Sequence, residues 1–408
     1  MRMKQKNITT NINRYLIYMC FSRALFYLPI FIIFYNELGV PYSIVMLFFS
    51  ILSLVKFLLE VPSGSFADNI GRKKTLIISI IFKIISLFLL VILSLFSKRI
   101  NVLGYIAIIL STICFGLGEV LESGAADALM YDYLKFYNRE NIFTNVAARA
   151  NSLIFFSFSA TGIIGGILYS INKSLPYIST FVAFVSAYIS IRSFDEVKLE
   201  IKSKQNSSFL SSNCNTILKS FKMLKYEKYL INIMFYGAFL FSYFLLVTWQ
   251  FQILFKDIKL NVLWFGVIFG ILNLVSSLIS RLYPYIEEII GIKQSLYSIP
   301  IVFSLAYFVL ACTSNLYVVI LMAVIIYSLW GYSVPMYSNF LNKNISSETR
   351  STMISIQSLF KSIIYGILSP LLGFLIDLYK IKNIFLFISL LILVTLLISV
   401  SPIKFLKE

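Results

Sequence analysis

The chain has 408 residues, 59% of them apolar and only 13% charged. Soluble domains carry roughly 45–50% apolar and about 25% charged residues, so this chain has too few charges to cover a water-soluble surface. That balance, with a mean hydropathy of +0.86, excludes a soluble multidomain protein, a disordered chain and a secreted disulfide scaffold. The formal charge of +17 invites a nucleic-acid reading, which the placement of the basic residues removes below. The four cysteines, Cys20, Cys114, Cys214 and Cys312, make no metal-binding or redox spacing. There is no histidine, so the commonest metal ligand and the usual proton carrier near neutral pH are missing. No metal or cofactor is expected, and proton chemistry falls to carboxylates. Richness in Ile, Lys, Asn, Phe and Tyr suggests an AT-rich bacterial genome.

A membrane-spanning helix needs about 20 mostly apolar residues. Such blocks fall near 15–36, 42–62, 75–97, 102–131, 147–171 and 174–193. After a polar stretch they resume near 229–253, 262–283, 295–313, 316–340, 353–377 and 382–403. Lipid leaves helices and closed barrels as the only spanning options. Blocks this long are helices, not the short alternating strands of a barrel. The expected fold is therefore all-α and integral to the membrane: twelve transmembrane helices in two pseudo-symmetric six-helix bundles. The bundles are placed at 1–193 and 229–408. The first block is too long for a secretory signal and carries Arg23.

Basic residues in short loops set orientation. With the N-terminus inside, the inner side collects about three Lys or Arg for each one outside. The expectation is a multi-pass protein of the bacterial cytoplasmic membrane with both termini in the cytoplasm. The charge is thus a topology signal. No loop but 194–228 is long enough for an ordered basic face, and no nucleic-acid partner is expected. That stretch, rich in Ser, Asn, Gln and Lys, reads as a linker with one short amphipathic surface helix near 217–226.

The halves echo each other. A shift of 220 residues lays Pro284 on Gly64, Glu288 on Asp68, Gly291 on Gly71 and Lys293 on Lys73. Span 5 contains GIIGGILYSI and span 11 contains PLLGFLIDLY at matching places. With the six-plus-six layout, these echoes argue for an internal duplication, which in membranes points to a transporter.

After span 2 comes Gly64-Ser-Phe-Ala-Asp68-Asn-Ile-Gly71-Arg72-Lys73-Lys74. This resembles the signature loop of the major facilitator superfamily, G-x-x-x-D-x-x-G-R-R/K, between its second and third helices. Glu60-Val-Pro62, Ser123–Asp132 and the ISSETRSTMISI run before span 11 resemble its drug-efflux branch more loosely. The resemblance implies alternating access, with a small-molecule substrate and a proton as partners, in a chain expected to act as a monomer. Drug–proton antiporters of the superfamily carry G-x-x-x-G-P-x-x-G-G in span 5. Here Thr161-Gly162-Ile-Ile-Gly165-Gly166 keeps the paired glycines but puts Thr161 at a glycine and Gly162 at the proline. The residues of the signature loop carry a physical reading of their own. Gly64 permits close approach of two helices and Gly71 a tight turn. Asp68 is expected to face the positive end of span 11 near Thr352 and Met353. Arg72 is expected to reach Asp132 at the end of span 4. Such contacts latch one of two states, whereas Lys73 and Lys74 follow the loop-charge bias.

Ionisable groups inside spans are costly and therefore informative. The bases are Arg23, Lys56, Lys83 and Arg149; the acids are Glu60, Glu119, Glu122 and Asp127. Glu119 and Glu122 share one helical face near mid-span, where burial and mutual repulsion favour keeping a proton on one of them. Arg23 is their nearest base by depth, and a static pair holding spans 1 and 4 together is the plainer alternative. Lys56 and Glu60, four apart, are expected to satisfy each other. Asp127 is divided between helix pairing and proton exit. The second half offers neutral cavity candidates: Trp249 with Gln250, Trp330 with Tyr332, then Asn273, Tyr337, Asn339 and Gln357. Aromatic walls suit bulky, amphipathic or cationic compounds. The leading expectation is proton-coupled efflux of small amphipathic molecules. Uptake by symport or facilitated diffusion is the alternative, and a non-transporting scaffold or sensor the remote one. Without histidine, a GxSxG run or a phosphate loop, no enzyme or ATP-driven pump is expected.

Overall fold

A computed structural model describes residues 2–97, 99–195, 228–344 and 350–400, leaving aside the side chains at 2–7, 60–62, 65, 68, 228–230, 342–344 and 350–355. The expected amphipathic helix near 217–226 lies outside the described residues. Thirteen α-helices and no strands occur among the described residues. The first seven are α1 (Arg2–Phe21), α2 (Phe31–Glu37), α3 (Tyr42–Ile70), α4 (Arg72–Phe96), α5 (Val102–Phe136), α6 (Phe143–Ile171) and α7 (Leu175–Arg192). The remainder are α8 (Lys228–Asp257), α9 (Leu263–Ile290), α10 (Ile292–Cys312), α11 (Leu316–Asn344), α12 (Arg350–Leu378) and α13 (Ile381–Val400). Eleven of these are long and apolar enough to cross a membrane. They account for every expected span except the first.

That first block, 15–36, is not one continuous helix. α1 stops inside it, a 3-10 turn covers Leu28–Ile30, and α2 resumes the segment. Pro29 sits in this turn; it has no N–H to give and disfavours a helical residue before it. A break leaves backbone groups without helical partners, and lipid supplies none. The neighbouring helices supply them instead. Ser157 of α6 donates to the Cys20 carbonyl at 3.0 Å, and Lys83 of α4 reaches the Ser22 carbonyl at 3.4 Å. The Phe26 N–H donates to Thr180 of α7 at 3.0 Å. A Cβ on Gly165 of α6 would fall 1.9 Å from the Phe26 carbonyl oxygen. Only glycine lets α6 approach this irregular backbone so closely.

The helices group into two compact units. The first comprises the described parts of Met1–Gly39 and Leu54–Asn213, with Val262–Val267. The second comprises those of Val40–Ser53, Cys214–Asn261 and Ile268–Glu408. Within the first unit α1 packs on α6 and α7, and α4 packs on α5 and α7. Within the second, α8 packs on α12 and α13, and α10 packs on α11 and α13. The same pairing of first, third, fourth, fifth and sixth spans recurs in each unit, as a duplication requires. The 220-residue echo also holds in detail. Gly71 and Gly291 both adopt positive φ, 100° and 77°, immediately before α4 and α10. Four residues on, Thr75 and Ser295 each return a hydroxyl hydrogen bond to that glycine's carbonyl, at 2.9 and 2.8 Å.

Large apolar side chains such as Phe88, Phe155, Phe156, Leu278 and Phe374 stay exposed. Such a surface fits lipid rather than water. Helix contacts use small residues instead: a Cβ on Gly331 would meet the Ser276 backbone at 2.1 Å, and one on Gly266 the Gly162 carbonyl at 1.9 Å.

Candidate functional site

The signature loop lies in the first unit. α3 ends at Ile70, Gly71 turns the chain with positive φ, and α4 begins at Arg72. The Arg72 guanidinium donates to the Ala128 carbonyl at 2.6 Å and forms an ion pair with Asp132. Both partners are more than two-thirds buried, so α4 is tied to the end of α5 by the expected residues. The side chain of Asp68, and those of Thr352 and Met353, lie outside the described residues. A Cβ on Gly64 would meet no described atom within 4 Å, so no close helix approach occurs there among the described residues.

Deeper in the same unit the intramembrane charges converge. The Arg23 guanidinium contacts both Glu119 oxygens at 3.0 and 3.1 Å, and its Nε lies 3.4 Å from Glu122. Lys83 joins them: its ammonium lies 2.6 Å from Glu119 and pairs with Glu122. The Ser22 hydroxyl donates to Glu122 at 2.9 Å. Lys83 is 0% exposed and Glu122 1% exposed, so each needs the other, because an unpaired charge at such a depth would be prohibitive. Lys56 reaches Glu119 only at 3.7 Å, with 41% of its side chain exposed. Glu60, one turn after Lys56, has its side chain outside the described residues. Arg149 stands exposed on α6.

Local sequence explains how Lys83 fits. Its stem lies against Gly118 of α5, where a Cβ would come within 2.6 Å of the lysine Cγ and 2.9 Å of the Ser79 carbonyl oxygen. The ammonium also stands 5.7 and 6.0 Å from the rings of Phe115 and Phe184. Breaking the first segment completes the arrangement. Ser22 and Arg23 lie just past the end of α1, so their side chains and a backbone carbonyl turn toward α4 and α5. The C-terminal end of a helix carries partial negative charge, here set beside two cations. Asp127, five residues after Glu122, is exposed and accepts from the Tyr15 hydroxyl at 2.7 Å.

The second unit holds the neutral candidates, and they do not form one cluster. Trp249 stacks on Phe49 with centroids 4.2 Å apart and donates its indole N–H to the Tyr365 hydroxyl at 3.0 Å. Gln250 is buried and accepts from Tyr307 at 2.7 Å. Trp330 and Tyr332, two apart on one helix, point about 200° apart. Trp330 stacks on Phe244 at 5.7 Å, whereas the Tyr332 hydroxyl is bonded to Ser295. Asn339 donates to the Tyr283 hydroxyl at 2.7 Å and to both Glu287 oxygens at 3.1 Å, and so belongs with the Gly291 turn. Gln357 is half-buried on α12. Asn273 donates to the Phe269 carbonyl of its own helix at 2.8 Å, and Tyr337 to the Ile233 carbonyl at 3.0 Å.

The Lys83 link, Ser22, Tyr15 and Gly118 escaped the reading of the sequence. The depth of Lys83 was legible, but its register against α5 was not. A family model described as Major Facilitator Superfamily matches residues 15–364. Among curated proteins no match is found. Solved structures similar to this chain include the nucleoside transporter NupG, at 12% identity and TM-score 0.75, covering 98% of this chain and 99% of that one. A bacterial homologue of the iron transporter ferroportin, in an inward-facing state, has 16% identity and TM-score 0.67 over 97% and 99%. An auto-inhibited POT family peptide transporter has 11% identity and TM-score 0.69 over 99% and 98%. At these identities the likeness is one of fold.

Proposed function

Because the chain belongs to the major facilitator superfamily, we propose that it is a proton-coupled secondary transporter that exports small amphipathic molecules by alternating access. The observation that carries the proton coupling is the buried group of Arg23, Lys83, Glu119 and Glu122. A proton arriving on a Glu122 oxygen converts that carboxylate to a neutral acid and frees Lys83 and Arg23 to settle on Glu119. Losing the proton restores the present pairing. The two arrangements differ in which helices are tied together, and a difference in contacts between states is what couples proton binding to a conformational change. Arg72 with Asp132 serves as part of a latch, to which Asp68 contributes. The aromatic faces of Trp249 and Trp330 offer stacking and cation–π contacts to an amphipathic cation. In this reading both termini lie in the cytoplasm, which the bias of loop charges supports.

The test uses purified protein in vesicles, ethidium as amphipathic probe, an imposed proton gradient and an internal pH dye. The wild type moves ethidium and protons in opposite directions; Glu122→Gln and the Glu119→Gln/Glu122→Gln double variant lose the coupled proton flux. Unchanged coupling in every variant overturns the assignment. The span-5 departure, Thr161 and Gly162 in place of glycine and proline, favours a second reading, uptake by symport. Accumulation of uridine with protons moving in the same direction, and no ethidium movement, selects it.

A further inference from the structure

Glu122 is almost fully buried, while Asp127 on the same helix is exposed. If Glu122 exchanges protons, as the proposed function requires, it needs a path. α1 supplies polar groups between the two carboxyls. Tyr15, Tyr18 and Ser22 recur at helical spacing on one face of the first segment. Tyr15 donates to Asp127 at 2.7 Å and also lies within electrostatic reach of Glu122. Ser22 donates to Glu122 at 2.9 Å. Between them stands Tyr18, fully buried. That phenol feels the charges of Glu122, Arg23 and Glu119 and lies beside Ser79. The Ser79 hydroxyl donates to the Gly118 carbonyl at 2.7 Å, which leaves its lone pairs open to the Tyr18 O–H. A hydroxyl can both donate and accept, so Tyr18 can hand a proton along this face, which a phenylalanine at 18 could not.

We propose that Tyr15 and Tyr18 relay protons between exposed Asp127 and buried Glu122. A proton bound at Asp127 turns that carboxyl into a donor toward the Tyr15 oxygen. The Tyr15 hydroxyl passes its own proton onward, directly or through one water, to the Tyr18 oxygen. Tyr18 releases its proton to Glu122. Each phenol gains one proton and loses one, and rotation of the two O–H bonds resets the path. The charged groups around the acceptor are Arg23 beyond α1, Lys83 on α4, Lys56 on α3 by way of Glu119, and Glu119 and Asp127 on α5 itself. They set how readily Glu122 takes the proton, whereas the phenols set how fast.

The experiment needs no transported substrate. Purified protein in detergent is acidified by rapid mixing, and the infrared carbonyl band of protonated carboxyl groups is followed in time. Its Glu122 component is assigned as the part lost in Glu122→Gln. Tyr18→Phe and Tyr15→Phe are expected to slow that component at least ~10-fold with unchanged amplitude. Unchanged rates in the Tyr15→Phe/Tyr18→Phe double variant overturn the relay and leave Glu122 a proton acceptor. A wild type without any Glu122 component overturns the proton role itself, and the relay with it. Should Tyr18→Phe fail to fold, Tyr15→Phe decides by the same readout.

Discussion

Removing the Lys83 charge tests the buried cluster most directly. Two unit charges 2.6 Å apart, the Lys83–Glu119 separation, attract by ~6 kcal/mol at an effective dielectric of 20. Desolvation of each ion offsets most of that gain, so the intact pair adds little net stability. Truncation is different. Lys83→Met leaves Glu122 1% exposed, with only the Ser22 hydroxyl and Arg23 at 3.4 Å. A buried pair broken on one side costs ~3–5 kcal/mol, and the remaining Arg23 contact sets the expectation at the lower end, ~3 kcal/mol. Neutralising the partner removes the orphaned charge, so Lys83→Met/Glu122→Gln should return to within ~1 kcal/mol of the wild type. The assay is equilibrium unfolding by SDS in mixed micelles, followed by tryptophan fluorescence. The double variant must be more stable than Lys83→Met alone. A Lys83→Met protein within ~0.5 kcal/mol of wild type, or a double variant worse than both singles, refutes the reasoning.

Two glycine predictions use the same assay. Gly165→Ala forces a methyl against the Phe26 carbonyl, 1.9 Å from its oxygen, and should cost ~1–3 kcal/mol through overpacking; a neutral result would show that the broken segment yields freely. Gly71→Ala and Gly291→Ala each place a side chain at positive φ and should cost ~1–3 kcal/mol. Gly64→Ala, in a helix with no described atom within 4 Å, should be neutral or gain up to ~1 kcal/mol. Equal losses at all three positions would show that local backbone conformation is not what distinguishes them.

Spans two to twelve were legible because lipid imposes a length and forbids polar interruption, and both demands are written in the order of residues. The break in the first span was not. Hydropathy runs almost unbroken through Pro29, and it takes no account of who satisfies a freed carbonyl. Arg23 and Glu119 could be matched by depth along their helices, but Lys83 could not be assigned to Glu122 without knowing that Gly118 lets α4 settle against α5. In the sequence, Tyr15 and Tyr18 are two aromatics in an aromatic-rich chain. What separates them is a hydroxyl's surroundings, which no spacing encodes. The signature loop was the clearest signal, since the Gly71 turn and the Arg72–Asp132 pair each follow from a residue type at a fixed place.

An uninterrupted spanning helix satisfies its own backbone and behaves as a smooth rod, able to slip along its axis or roll at little cost. The first segment of this protein is instead pegged at mid-depth, with Cys20 held by Ser157, Ser22 by Lys83 and Phe26 by Thr180. Sliding or rolling it would strip bonds from three neighbours at once. Motion of the first segment is therefore tied to α4, α6 and α7, so that under the proposed coupling a change of charge at Glu122 would be felt by several helices rather than absorbed by one.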